Sequence, residues 1–338
     1  MLPTVIIPTY KRPQIVMQAL QSLQEQSFPD FEILIVDNAV DLAVEQKINV
    51  FNRTARLPAI YIPEKRLGVH YARNKAAQLA SGDLLLFTDD DVTFDPHWVD
   101  AYVKAFYDHP EMSASGGPVR PHWDQNPPQW LLNYIGKTDS FGILSLMEPY
   151  QTFNLSERGY FYSCNMAIWK SKLMERRGFH PEATGDIWIG DGETGLNLDM
   201  QAEGDLIGYV PNALVYHHIP LSRMTPAYFR LRQANQGASQ AYTRYHKGIP
   251  RTGRIIIRFC RIILDNFPAW IAAPLMWNRT NRIALNTQMR TAHSFSEIGY
   301  TLKMMRDPDF RTMILKRDWL NSGMEMTNKI FDAELKGS

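Results

Sequence analysis

LLLFTDDDVTF, residues 84–94, runs four apolar residues and a threonine straight into three consecutive carboxylates. Like charges side by side repel, so Asp89, Asp90 and Asp91 need either solvent or a counter-cation. A solvated turn is one reading, since Asp is common where strands stop. The run DLLLFTD (83–89) is uniformly apolar up to its end, as in a parallel strand covered on both faces. If residues 88–91 continue that strand, Asp89 and Asp91 project to one side and Asp90 to the other. Two carboxylates held together at the C-terminal edge of a parallel sheet make a hard-oxygen site suited to Mg²⁺ or Mn²⁺. That edge is also where open α/β sheets bind ligands.

The flanking sequence supports such a sheet. TVIIP (4–8), FEILIVD (31–37) and AIYIP (59–63) read as three further strands. Residues 12–26 carry Ile15, Ala19, Leu20 and Leu23 at helical spacing, and residues 69–80 form a helix closed by Ser81-Gly82. Alternation of short apolar runs with helical patterns over the first 95 residues marks a βαβ architecture. Asp95-Pro96 opens a helix to about residue 108. An irregular proline-rich excursion runs to about 150, YFYSCNMAIW (160–169) returns as a strand, and LIGYVPNALVYHH (206–218) is a further strand region ending on two histidines.

Composition narrows the field. With 36 basic against 35 acidic residues among 338, net charge names no partner, and the length suffices for one large α/β domain with an appendage. Cys164 and Cys260 are the only cysteines, too few for a disulfide framework or a thiolate metal site, so a reducing compartment is expected. The start MLPTVIIPTY has no basic n-region and long apolar stretch, so no signal peptide is expected. No run of 18 uncharged apolar residues occurs, which argues against a spanning helix.

From about 250 the character changes. Residues 251–290 hold seven arginines, no lysine and one acid, Asp265, among Ile and Trp. Arg254, Arg258 and Arg261 fall at helical spacing, with Ile255, Phe259, Ile262 and Ile263 on the rest of the surface, the pattern of an interfacial amphipathic helix. A helix docked on the main domain with its arginines solvated is the other reading. No recognisable nucleic-acid motif accompanies the arginines, so nucleic acid is not an expected partner.

A metal on two carboxylates completes its shell with phosphate and water, which points to a nucleotide diphosphate. Neither G-x-x-x-x-G-K-[ST] nor G-x-G-x-x-G after the first strand is present, so P-loop, kinase and dehydrogenase readings lose their basis. IIPTYKRP (6–13), LIVDNA (34–39), GVHYARNKAAQLASGDLLLFTDDDV (68–92) and GDGETGL with YVPNALVYHH (190–218) resemble, in order and spacing, family 2 glycosyltransferases of the GT-A fold. The similarity covers roughly residues 3–225.

The resemblance implies a Rossmann-like, mostly parallel central sheet flanked by helices, and the basic amphipathic segment after about 250 adds a C-terminal helical, membrane-proximal extension. Its catalytic domain spans 1–225, with a nucleotide-binding half (1–95) and an acceptor and catalytic half (96–225), and the extension spans 226–338. It places Pro8, Thr9, Tyr10 and Arg12 in the loop that cradles the nucleotide, Lys11 standing where Asn is frequent. Asp37 is expected to read uracil, and Gly68, Arg73 and Asn74 to lie near the nucleotide. Asp89 and Asp91 match the family's D-x-D motif. Asp89 is assigned to ribose, sugar or metal, Asp90 is grouped with the nucleotide contacts, and Asp91 holds the Mn²⁺ or Mg²⁺, with His217 as a further metal or diphosphate contact. Aligning the family's general-base motif on Leu196 puts Glu193 at the catalytic carboxylate, with Gly195 where a second acid is frequent and Asp191 as the alternative base.

The implied reaction transfers a sugar from a nucleotide-diphosphate sugar, a UDP-sugar by the resemblance at Asp37, to a hydroxyl of a glycan or lipid-linked glycan. Metal-assisted single displacement inverts the anomeric centre. The family's QxxRW signature is absent and RLRQANQGASQAY (230–242) stands there, so addition of one sugar is expected, with Arg230, Arg232 and Gln236 as donor or acceptor contacts. Trp123, Trp130 and Trp188 are candidates for an acceptor groove. The expected place is cytoplasmic, peripheral on the inner face of the membrane. The rival readings are a metal-dependent nucleotidyltransferase and a non-catalytic nucleotide-sugar or glycan-binding scaffold, the Gly195 departure favouring the latter.

Overall fold

The computed structural model describes residues 1–136, 140–184 and 187–320. The end of the expected extension, 321–338, lies outside them. The chain divides into two compact units, one built from 1–124, 138–185 and 192–219, the other from 125–137, 186–191 and 220–338.

In the first unit the strands are β1 (Pro3–Thr9), β2 (Glu32–Asp37), β3 (Ala59–Pro63), β4 (Leu84–Thr88), β5 (Val92–Phe94), β6 (Met112–Gly116), β7 (Val119–Trp123), β8 (Ser140–Phe141), β9 (Leu146–Met147), β10 (Asn154–Ser156), β11 (Asn165–Trp169), β12 (Ala183–Thr184), and, after the short β13 (Ile187–Trp188) of the second unit, β14 (Leu206–Tyr209) and β15 (Val215–Ile219). Eight of them form the central sheet in the order β10-β14-β6-β11-β4-β1-β2-β3. β1 pairs parallel with β2 and β4, β2 with β3, and β6 with β14, while β11 runs antiparallel between β4 and β6. A second sheet has the order β5-β15-β7-β9-β8.

The uniform apolarity of β4 has the expected cause. Leu84 and Leu86 join the core on one side of the sheet with Val5, Ile7, Ile33 and Ile35, while Leu85 and Phe87 join the other with Ile6, Leu34 and Val36. Helices cover both faces: α1 (Ile15–Gln24) and α4 (Trp98–Asp108) on the first, α3 (Val69–Leu79) and α7 (Glu193–Ala202) on the second. Each fully buried Leu or Phe contributes about 1.5–3 kcal/mol. Asn165, fully buried, fastens the junction of the layers. It accepts from Trp98 Nε1 and Tyr102 Oη and donates to the carbonyls of Pro118 and Ala213, which saturates its amide.

Several elements differ from the sequence expectation. β4 stops at Thr88, and residues 90 and 91 form a turn, so the alternation expected for 88–91 does not hold. The run 160–169 is strand only from Asn165, and 206–218 is two strands in two sheets, broken at Pro211. Between β2 and β3 stands α2 (Leu42–Phe51), which the reading above does not anticipate; Asp41 caps it by accepting from Ala43 N at 2.9 Å, and only Val44 and Ile48 of its apolar residues are buried. Helix α6 (Lys170–Glu175) follows β11.

The second unit is helical: α5 (Gln129–Ile135), α8 (Pro226–His246), α9 (Thr252–Leu275), α10 (Arg282–Arg306) and α11 (Pro308–Leu315). Helix α10 packs on both α8 and α9. Arg258 turns inward, correcting the picture of three outward arginines: with Arg244 it pairs with the buried Glu297. Arg254 and Arg261 remain on the exposed side. Of the apolar residues of α9, Ile255, Ile262 and Ala273 are buried, whereas Ile256, Ile257, Leu264, Phe267, Ile271 and Leu275 are exposed.

Candidate active site

The C-terminal ends of β1, β2 and β4 lie side by side, Thr9 in register with Asp37 and Ile6 with Phe87. The loop after β1 turns at Lys11, whose φ of 53° is left-handed. That geometry explains why Asn, which tolerates it, suits this position. The turn brings Arg12 back over the sheet edge, where its Nη1 lies 3.0 Å from Asp90 Oδ1 and 3.3 Å from Asp91 Oδ2. Thr9 Oγ1 donates to Asp90 Oδ2 at 2.7 Å. Pro8 is within the β1 ladder, and Tyr10 is exposed beneath the Lys11 ammonium, 5.3 Å from its ring centroid.

The three aspartates therefore separate by partner, not by strand alternation. Asp89 accepts from Arg73 Nη2 at 2.9 Å. Asp90 is buried against Thr9 and Arg12, and burial, reinforced by the neighbouring Asp91, raises its pKa. Asp91 Oδ1 lies 3.5 Å from His217 Nε2. The Nδ1 of that ring sits 3.0 Å from the carbonyl of Leu144, which can only accept, so Nδ1 donates there and Nε2 is the nitrogen that faces Asp91. Asp91 is also held from behind, its carbonyl accepting from His218 N at 2.9 Å.

These donors fit a divalent cation. Two ligand atoms bound side by side at about 2.1 Å stand about 3 Å apart, close to the Asp91–His217 spacing. An imidazole fixed by a backbone carbonyl is the usual support for a metal-ligating histidine. Asp89, Asp91 and Glu182 also bring more negative charge than Arg12 and Arg73 neutralise, which favours a cation there.

Arg73 is 3% exposed and bridges Asp89 and Glu182, the latter at 3.3 Å. Burial works against its charge, but Asp89, Glu182 and Glu193 together hold its pKa up. Its Nε has no hydrogen-bond partner among the described residues. Glu182 is absent from the sequence expectation: 109 residues separate it from Arg73, and no pattern around it signals the pair.

Glu193 opens α7 directly after Gly192, whose φ of 54° belongs to glycine and whose missing Cβ would meet Glu182 at 3.2 Å. The buried Asn197 donates to the Glu193 carbonyl and to that of Phe161, which fixes the first turn of α7. The buried Cys164 thiol senses the cluster: burial raises its pKa, and Asp89, Glu193 and Asp91 raise it further while Arg73 opposes them. Glu193 thus lies in the same field as Asp89, Asp91 and Arg73. Asp191 belongs to the second unit, where it is buried and accepts from Thr243 Oγ1 of α8 at 2.6 Å.

Other expected residues have structural engagements. Asp37 is fully buried, accepting from Ala39 N, Asp41 N and Tyr61 Oη, which organises the loop after β2. Burial and the bond to Asp37 raise the Tyr61 pKa. Gly68 adopts φ 138° and donates to Asn38 Oδ1, and Asn74 exchanges two hydrogen bonds with the backbone of Phe179. In the second unit Trp188 Nε1 donates to Gly190 O and Ser239 Oγ under the Arg232 guanidinium, Trp130 packs edge-on against Phe229, and Arg230 pairs with Gln288 and covers Trp277.

The family model described as glycosyl transferase family 2 matches residues 4–178, more than half of the chain. Among curated relatives, the glucosyl-dolichyl phosphate glucuronosyltransferase of Haloferax volcanii is 26% identical over 130 residues, 38% of this chain and 41% of the relative. The succinoglycan biosynthesis protein ExoM of Rhizobium meliloti is 23% identical over 237 residues, 68% of this chain and 71% of the relative. The chain thus spans about two fifths of the first relative's length and more of the second's. Among solved structures, the mannosyltransferase PcManGT from Pyrobaculum calidifontis, in complex with GDP-Man and Mn²⁺, matches with a TM-score of 0.53 at 18% identity, covering 99% of this chain and 86% of that one. The mixed sheet flanked by helices is that of the GT-A fold, and by its matched family model the chain belongs to glycosyl transferase family 2.

Proposed function

We propose that this chain transfers a sugar from a nucleotide-diphosphate sugar to a hydroxyl of a glycan or lipid-linked glycan, in one inverting displacement assisted by Mn²⁺ or Mg²⁺. The observation that carries the reading is the meeting of Asp91, His217 and Arg12 at the C-terminal edge of the sheet, within a chain of this family. Asp91 and His217 would hold the cation, with Asp89 next to it; when bound, the cation neutralises charge developing on the leaving diphosphate. Arg12 and Arg73 place fixed positive charge beside the same edge. Glu193 takes the proton of the attacking hydroxyl, and Asp191, held by Thr243 in the helical unit, has a structural engagement instead.

A UDP-sugar is the favoured donor. Asp37 supports it through the loop it shapes, since its own carboxylate is buried and already accepts three hydrogen bonds. The test is thermal stability with UDP, GDP and dTDP, each with and without Mn²⁺. A metal-dependent rise with UDP is expected, because a ligand that binds only the native state at about 100 times its Kd adds about 2.7 kcal/mol. A rise with GDP alone overturns the donor assignment, and no rise with any nucleotide overturns the reading as a whole.

The helical unit carries a surface suited to lipid. Among the described residues no helix is long and apolar enough to cross a membrane. Helix α9 instead exposes Ile257, Leu264, Phe267, Ile271 and Leu275 in the same segment as the exposed Arg251, Arg254 and Arg261, an apolar face beside cations that match anionic headgroups. The full chain is expected to float with anionic liposomes, and Leu264→Glu combined with Phe267→Glu to abolish flotation without lowering the melting temperature. Equal flotation of parent and variant rejects this face as the contact.

A further inference from the structure

Among the described residues, the carboxylates at the sheet edge leave one further constellation of metal-ligating side chains unused. Strands β7 and β15 run parallel, and His122 stands directly opposite His218 in their register. Register partners of neighbouring parallel strands point to the same face, so the two imidazoles lie together, ring centroids 4.3 Å apart. One residue beyond the end of β7, the backbone N of Asp124 donates to the carbonyl of Ile219, which carries its carboxylate to the same spot. Asp124 Oδ1 lies 3.4 Å from His218 Nδ1, and one donor atom from each of the three residues falls within 4.8 Å of the others. His217 and His218 point to opposite faces of β15, so this group is separate from Asp91 and His217.

We propose that His122, Asp124 and His218 form a second cation site, for a zinc-class divalent ion. Two imidazoles and one carboxylate are a nitrogen-rich donor set that suits Zn²⁺, whereas Mg²⁺ and Mn²⁺ prefer oxygen donors. The edge of a tetrahedron with zinc-to-ligand bonds of about 2.0–2.1 Å is about 3.3 Å, which matches the spacing of Asp124 Oδ1 from His218 Nδ1. Thr93 Oγ1 lies 3.2 Å from His218 Nε2, which holds the ring and leaves Nδ1 as the nitrogen that faces Asp124. His122 and Asp124 are exposed, so both can close on an ion without rearranging the core.

The site ties together β5, β15 and β7, because Thr93 belongs to β5 and the other groups to the ends of β7 and β15. His218 also donates its backbone N–H to the Asp91 carbonyl. An ion here acts as a clasp behind the catalytic aspartate, stiffening its backbone without touching substrate.

The experiment is calorimetric titration of Zn²⁺ into untagged, chelator-treated full-length protein without nucleotide, for the parent, His122→Ala and Asp91→Ala. The expected result is that His122→Ala loses one equivalent of Zn²⁺, or weakens it at least about tenfold, while Asp91→Ala retains it. Melting temperature provides a second readout: Zn²⁺ raises it in the parent and in Asp91→Ala, and not in His122→Ala. Equal uptake by parent and His122→Ala, or no uptake by the parent, overturns the proposal.

Discussion

An Asp91→Ala chain is expected to lose sugar transfer by about 10³-fold or more in kcat/KM while remaining folded. The magnitude follows from what the side chain alone supplies. Asp91 is the aspartate whose carboxylate faces a histidine ring nitrogen, at 3.5 Å, and removing it takes away the carboxylate beside His217. A cation that stabilises the leaving diphosphate contributes several kcal/mol, and each 1.4 kcal/mol is about tenfold. The fold is expected to persist, because the Asp91 carbonyl still accepts from His218 N after the substitution and Arg12 keeps its pairing with Asp90. Asp90→Asn provides the contrast. Asp90 is buried against Thr9 and Arg12, its charge already disfavoured by burial and by Asp91, so an amide there perturbs the loop after β1 more than the cation. Initial rates with UDP-sugar and Mn²⁺, alongside melting curves, check both variants. Asp91→Ala within tenfold of the parent removes the metal role from this residue.

The parts of this arrangement that a sequence displays are the ones whose cause is local. Four apolar residues in a row at 84–87 mark a strand covered on both faces, and the structure divides them two and two between the cores. The carboxylates after them mark a charged sheet edge. Their directions are not local: β4 ends at Thr88, and Asp90 and Asp91 are aimed by the turn and by Arg12, which returns from 78 residues earlier. Asp91 meets His217, and Arg73 meets Glu182, across separations that no periodicity encodes. Resemblance to the family assigns Asp91 and His217 to the same metal site, whereas Glu182 belongs to no motif. Helix α2 is hard to read in the sequence for the opposite reason, because its buried side holds only Val44 and Ile48 and the helix is announced mainly by its Asp41 cap.

Glu193→Gln is expected to lower kcat by about 10²–10⁴-fold, the span typical of a lost general base, and to leave the metal-dependent thermal shift with nucleotide intact. The substitution keeps the shape of the side chain and removes its capacity to take a proton. Its backbone setting stays the same: Gly192 keeps its left-handed turn and Asn197 still holds the first turn of α7. The partner charge also remains, since Arg73 keeps Asp89 and Glu182 when Glu193 is neutral. Asp191→Asn is the decisive companion. Asp191 accepts from Thr243 in the helical unit, so its loss is expected to appear in stability and to reduce kcat by less than tenfold. The reverse outcome, a strong loss of kcat in Asp191→Asn with Glu193→Gln near the parent, moves the base to Asp191. If neither variant changes kcat while nucleotide still binds, proton transfer does not depend on either carboxylate, and the single displacement from this face of the site is wrong.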